Sequence, residues 1–201
     1  MRHGLEFAAA SFQQTLLREW GLDFDPSRYG ETIEQIFALD GNGNRPMPLV
    51  CAGCSSADAK AALAARRPAE LFPSAFSPEA AMSGLWLYFS CFEECHNLCQ
   101  DLSSAEGSYW HAILHRQEPD AGNASYWFHR VGRHAIFPML AARARELGFT
   151  GSGASWDPSA FVDFCERARK AGEHSAEHRT ALAVQLAEWQ LLFDYCARPR
   201  S

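Results

Sequence analysis

The sequence predicts an all-α fold, a single-domain orthogonal or irregular helical bundle spanning residues 1–201 with a loop around 40–56. Three observations predict it. Apolar residues recur at spacings of three and four in most segments. Those segments open on capping residues and close on glycine or ahead of proline. No alternating run is long enough to build a sheet.

The elements follow in order. Phe12, Leu16 and Trp20 mark a first amphipathic helix closed by Gly21, and Ile33, Ile36 and Phe37 a second. The stretch DGNGNRP after it is the clearest flexible loop, and the RPMPLV that overlaps it could form one short strand. SADAKAALAARR reads as an alanine-rich helix stopped by Pro68. Ser77, Pro78 and Glu79 supply a cap, a proline at the first helical position and an acid at the positive end of the dipole. That helix is expected to run from Pro78 to about Asp101. Ser103 to Glu106 fits a capping box for the next, which Pro119 stops. Asp120 caps another, running to Val131 and ending at Gly132. FPMLAARARELG and DPSAFVDFCERARKAG each carry a helix start or a glycine stop. The last helix places Leu182, Leu186, Trp189, Phe193 and Cys196 on one stripe.

With 201 residues, 47% of them apolar and 21% charged, the chain can bury a sizeable core. A formal charge of −6 argues against nucleic acid, because no basic face is available to neutralise phosphates. No apolar run is long enough to span a bilayer, and the first residues do not form a secretory signal, so no membrane partner and a cytoplasmic location are expected. Seven cysteines cannot all pair within one chain. Their spacing does not suggest a disulfide framework, so reduced thiols are expected. Cys91, Cys95 and Cys99 fall on one helical stripe and read as small apolar residues. The lone C-x-x-C of Cys51 and Cys54 is a weak signal for either zinc or redox chemistry.

Candidate chemistry concentrates in GSYWHAILHRQEPDAGNASYWFHRVG, residues 107–132. His111 and His115 lie four apart and share a face, with Ser108 and Glu118 near it. Trp110, Ile113 and Leu114 point to the core. The histidine pair therefore faces water or lines a cleft made by another element. In the next helix Ala124, Trp127, Phe128 and Val131 form the buried stripe, flanked by Asn123, Tyr126 and Arg130. Upstream, Leu85, Phe89, Phe92, His96 and Cys99 share a stripe, which sets His96 on an apolar face. If that helix packs beside the next, His96, His111 and His115 converge as ligands for a divalent metal. Glu94 or Glu118 offers a carboxylate alternative, and one position stays open for water. Without metal, His111 or His115 is the general base, oriented by Glu118 or Asp120. Arg116 and Arg130 would hold an anionic group, with Asp120, Asn123 and Tyr126 completing the ligand site. The competing reading is a helical interaction module, in which the same charges only brace the interhelical turn. A small-molecule ligand, a protein partner and a second copy of the chain all remain compatible with these residues.

The same stretch, with LAEWQLLFDYC near the C-terminus, resembles an uncharacterised family of bacterial proteins. Its core reads Tyr-Trp-His, then His-Arg, Glu-Pro-Asp, and Asn-Ala followed by Tyr-Trp. The resemblance covers the middle and the end of the chain and implies a grouping without a mechanism. Members often carry arginine where this chain has Gln117 and His129, which argues against essential roles for those two. DAGNASYWFHRVG is also similar to half of a Sel1 or tetratricopeptide hairpin. Those architectures need several stacked repeats, and only one such segment is present.

Overall fold

The computed structural model describes residues 24–199. Among these the regular elements are ten α-helices and two short 3-10 turns, with no strand. The chain is an all-α bundle, as its periodicity predicts. The helix expected around Phe12 to Trp20 lies outside the described residues.

Helix α1 (Glu31–Ala38) buries Ile33, Ile36 and Phe37. The loop after it is pinned through its backbone. The Tyr88 hydroxyl donates to the Asp40 carbonyl at 2.7 Å and accepts from the Arg45 amide at 3.0 Å. Gln190 Nε2 donates to the Gly43 carbonyl at 2.9 Å. Gly43 has φ +75°, and a Cβ there would lie 2.1 Å from the Phe24 ring, so only glycine fits. The strand considered for RPMPLV does not form; Met47 and Leu49 instead drop into the core from an irregular chain.

Helices α2 (Ala57–Ala64) and α3 (Pro68–Leu71) are short. Helix α4 (Pro78–Tyr88) begins at Pro78 as expected and is buried on nearly every side. Ser77 occupies its N-cap position but makes no side-chain cap bond. Its amide instead donates to the Cys196 carbonyl.

The continuous helix expected from Pro78 to Asp101 is two helices. Ser90 sits at φ +57°, the left-handed region, and the chain turns before α5 (Phe92–Cys99). The turn separates Cys91 from the stripe it was expected to share with Cys95 and Cys99. Cys91 is disulfide-bonded to Cys54, which corrects the expectation of seven reduced thiols; the other five cysteines are free.

Helix α6 (Ala105–Gln117) is capped by Ser104, whose hydroxyl accepts from the Gly107 amide at 3.1 Å. The expected box put that role on Ser103, one residue early. Helix α7 (Ala121–Val131) follows the expected bounds, with the Asp120 carboxylate accepting from the Asn123 amide and Gly132 at the C-cap. Helices α8 (Phe137–Glu146) and α9 (Pro158–Ala171) follow, α9 capped by Asp157. Helix α10 (Ala176–Ala197) runs through the middle of the molecule.

Two groups of buried apolar side chains result. The larger joins α1, α4, α6, α7 and the second half of α10. At its centre Trp110 and Phe193 pack on the bare face of Gly84, whose carbonyl accepts from Trp189 Nε1 at 2.8 Å. The smaller joins α8, α9 and the first half of α10 around Phe149, Trp156 and Phe161. Among the described residues no helix is long and apolar enough to cross a membrane.

Candidate metal centre

Helix α6 is unusual in its mixture. It carries Glu106, Ser108, His111, Arg116 and Gln117, and all are buried. The pattern of polar and apolar residues suggested one wet face. The helix is in fact enclosed by α4, α5, α7 and α10, so each polar group must find a partner inside the protein.

The histidine pair takes the cleft alternative. His111 and His115 stack at 4.7 Å between ring centroids with their planes 20° apart. His96 approaches from α5, edge-on at 4.7 Å to His111 and 5.9 Å to His115. Its helix buries Cys95 and Cys99 on one face. His96 therefore lies beside the apolar stripe and only partly buried. One ligand nitrogen from each ring falls in a set within 4.8 Å of one another. A tetrahedral zinc bound at ~2.0–2.1 Å needs nitrogens roughly 3.3 Å apart.

His111 is the innermost of the three, only 3% exposed. Neither of its ring nitrogens has a hydrogen-bond partner among the described residues. Burial, then the neighbouring His115 and His96, lower its pKa to about 4, so it is neutral at ordinary pH. Trp127 of α7 stacks over it at 4.0 Å and 25°, closing one side with an indole ring. His115 Nδ1 lies 3.0 Å from the Glu118 carboxylate, which leaves its Nε2 as the free nitrogen.

The remaining candidate residues divide. Arg130 and Tyr126 stay at the rim of α7, exposed, with the guanidinium 5.1 Å above the Trp127 ring and the Tyr126 ring 5.4 Å from it. Asp120 and Asn123 bond each other, through the Asn123 amide at 3.0 Å and its Nδ2 at 2.7 Å. Glu94 is engaged by Lys60 at 2.5 Å, and the clustered set holds the three histidines without it.

Arg116 is placed differently from the anion-holding role expected of it. Its guanidinium is 1% exposed and bonds Glu188 of α10 at 2.5 Å, with Phe161 4.6 Å below. The Tyr109 hydroxyl donates to the same carboxylate at 3.0 Å. Sequence reasoning missed this pairing because Glu188 lies 72 positions downstream. The signal was present in LAVQLAEWQLLF, where Gln185, Glu188 and Gln190 interrupt an apolar run and all prove buried.

Comparison with protein-family models, curated proteins and solved structures returns no match to the chain.

Proposed function

We propose that His96, His111 and His115 bind a divalent transition metal, with zinc the first choice, and that the centre acts on a small polar or anionic molecule by hydrolysis. The observation that carries this reading is His111. A buried imidazole with two unpartnered nitrogens forgoes roughly 1–3 kcal/mol per group unless something fills the position. It stands between two further imidazoles and is held in the neutral, ligating form.

Three histidine ligands would leave a tetrahedral metal one open position, where a bound water would reach a pKa near 7. Glu118 fixes the His115 ring and its tautomer, with Nε2 left for the metal. Arg130, charged and at the rim, supplies the anion-holding role that Arg116 does not. The bracing alternative is favoured for one part of the hairpin only. Asp120 and Asn123 bond each other, which ties the turn and leaves less for a ligand.

The test is metal analysis of protein purified without an affinity tag, followed by zinc or cobalt titration. One equivalent of metal is expected in the wild type. In His111→Ala and His96→Leu the equivalent is lost with the helical circular dichroism spectrum unchanged. A wild-type protein that takes up neither ion at micromolar concentration, or a His96→Leu variant that keeps its metal, would overturn the assignment.

A further inference from the structure

The Cys54–Cys91 bridge lies next to the histidine cluster along the chain and joins it to a distant loop. Cys91 is the N-cap residue of α5, and its carbonyl accepts the Cys95 amide at 3.1 Å, so it starts the helix that carries His96. That helix has two turns and buries only Cys95 and Cys99 fully. Its Lys60–Glu94 ion pair is partly exposed and contributes little. Phe92 and Leu98 also pack against the core, and the Cys91 amide donates to the Trp86 carbonyl at 2.9 Å, so the disulfide adds the one covalent tether to a short helix held by few buried side chains. The two residues differ in access: Cys54 is exposed and Cys91 is 1% exposed. The loop also holds the end of α4 by bonds that do not depend on sulfur, from the Ser55 amide to the Phe89 carbonyl at 2.7 Å and from Arg45 to the Tyr88 carbonyl.

The geometry points to Cys54 as a site of thiol–disulfide exchange with low-molecular-weight thiols of the glutathione class, and to the Cys54–Cys91 bond as a clasp that sets metal affinity at the three histidines. The second half rests on the metal reading above. In the exchange an external thiolate attacks the sulfur of the exposed Cys54. The Cys54–Cys91 bond breaks, and its electron pair leaves on Cys91, which takes a proton from water. A second external thiolate then attacks the mixed disulfide, releasing the oxidised dimer of the small thiol and the Cys54 thiolate, which is protonated in turn. Two thiols are oxidised and one disulfide is reduced. Once reduced, α5 keeps its two buried cysteines but loses the link at its first residue, five positions before His96. The α4 end stays fixed through Ser55 and Arg45, so the fold survives while the third ligand loosens.

Cobalt titration monitored by its visible spectrum tests both halves. Thiol counting on denatured protein prepared without reductant should give five thiols, and seven after reduction, because Cys95, Cys99, Cys165 and Cys196 are buried in the fold. Incubation of the Cys51→Ser variant with oxidised and reduced glutathione should leave the adduct on Cys54, since Cys51 is a free, partly exposed thiol on the same peptide. The oxidised protein should bind cobalt at least tenfold more tightly than the reduced protein or the Cys54→Ser/Cys91→Ser double variant, which has no new thiol ligands. Cys51→Ser keeps the bridge and should bind as the wild type does. Seven thiols without reductant, or glutathione on Cys91 instead of Cys54, would overturn the exchange site. Equal cobalt affinity in both redox states would overturn the clasp and leave the three-histidine site standing. Absence of cobalt binding in both states would overturn the clasp together with the metal reading.

Discussion

The His111 imidazole has its pKa depressed from 6.5 to about 4, chiefly by burial. In the unfolded chain the same group titrates near its ordinary value, so the unfolded state binds protons first as pH falls. Its contribution to stability is complete above pH 6.5 and is lost progressively down to pH 4. The shift corresponds to ~3 kcal/mol. Urea unfolding of metal-free protein should show this decline between pH 6.5 and 4, and His111→Gln should flatten it by that amount. An unchanged pH dependence in the variant would mean that the ring is not held in the neutral form by the fold. At this scale the sequence was partly legible. The spacing of His111 and His115 makes them neighbours on any helix, and their meeting with His96 required only that adjacent helices pack. The fate of Arg116 was not legible, because nothing within a few residues of it indicates a partner on a helix that comes much later.

The starts of α4, α6 and α7 were legible to within a residue, whereas those of α3 and α5 were not. Ser103 and Ser104 both suit a cap, and only the direction of the incoming chain decides between them. The hydroxyl of Ser104 accepts from the Gly107 amide. Ser104→Ala should therefore cost about 1 kcal/mol, a fall of roughly 2–4 °C in Tm for a chain of this size, while Ser103→Ala stays within error. Within the hairpin Asp120→Ala should cost a similar amount through its lost cap, and Arg130→Ala should leave Tm unchanged. Equal losses at Asp120 and Arg130 would make the hairpin a uniform brace and remove Arg130 from the site. The break between α4 and α5 had no local signal. Neither glycine nor proline occurs from Phe89 to Cys91, and Ser90 adopts its left-handed conformation because α5 must turn to lie along α6. The disulfide was hidden for the same reason, since a continuous helix would have carried Cys91 away from Cys54.

Across the whole molecule, the two apolar groups meet at the buried Arg116–Glu188 pair. Removing one partner leaves a charge in a dry interior, so Arg116→Met should destabilise by ~3–5 kcal/mol in chemical denaturation. Pairing it with Glu188→Leu should recover only part of the loss, because the apolar pair needs no compensation but the buried Tyr109 hydroxyl loses its acceptor. A double variant as unstable as the single one would show that shape, not charge, dominates there. The all-α class was legible from periodicity alone, whereas the central position of α10 was not: its stripe marked one buried side, and the burial of Gln185, Glu188 and Gln190 on the others carried no apolar signal. That central position matters for how the protein is made. Gln185 and Gln190 of α10 bond the carbonyls of Met47 and Gly43, and Trp189 bonds Gly84. The ribosome thus finishes nine of these helices before producing the one they surround. Until it emerges, α4 and α6 show the nascent chain's surroundings the apolar sides that α10 will cover, and the early loop waits for hydrogen bonds spanning some 140 positions. The centre can therefore close only after α10 has left the ribosome, and until then the uncovered apolar sides suit binding by chaperones.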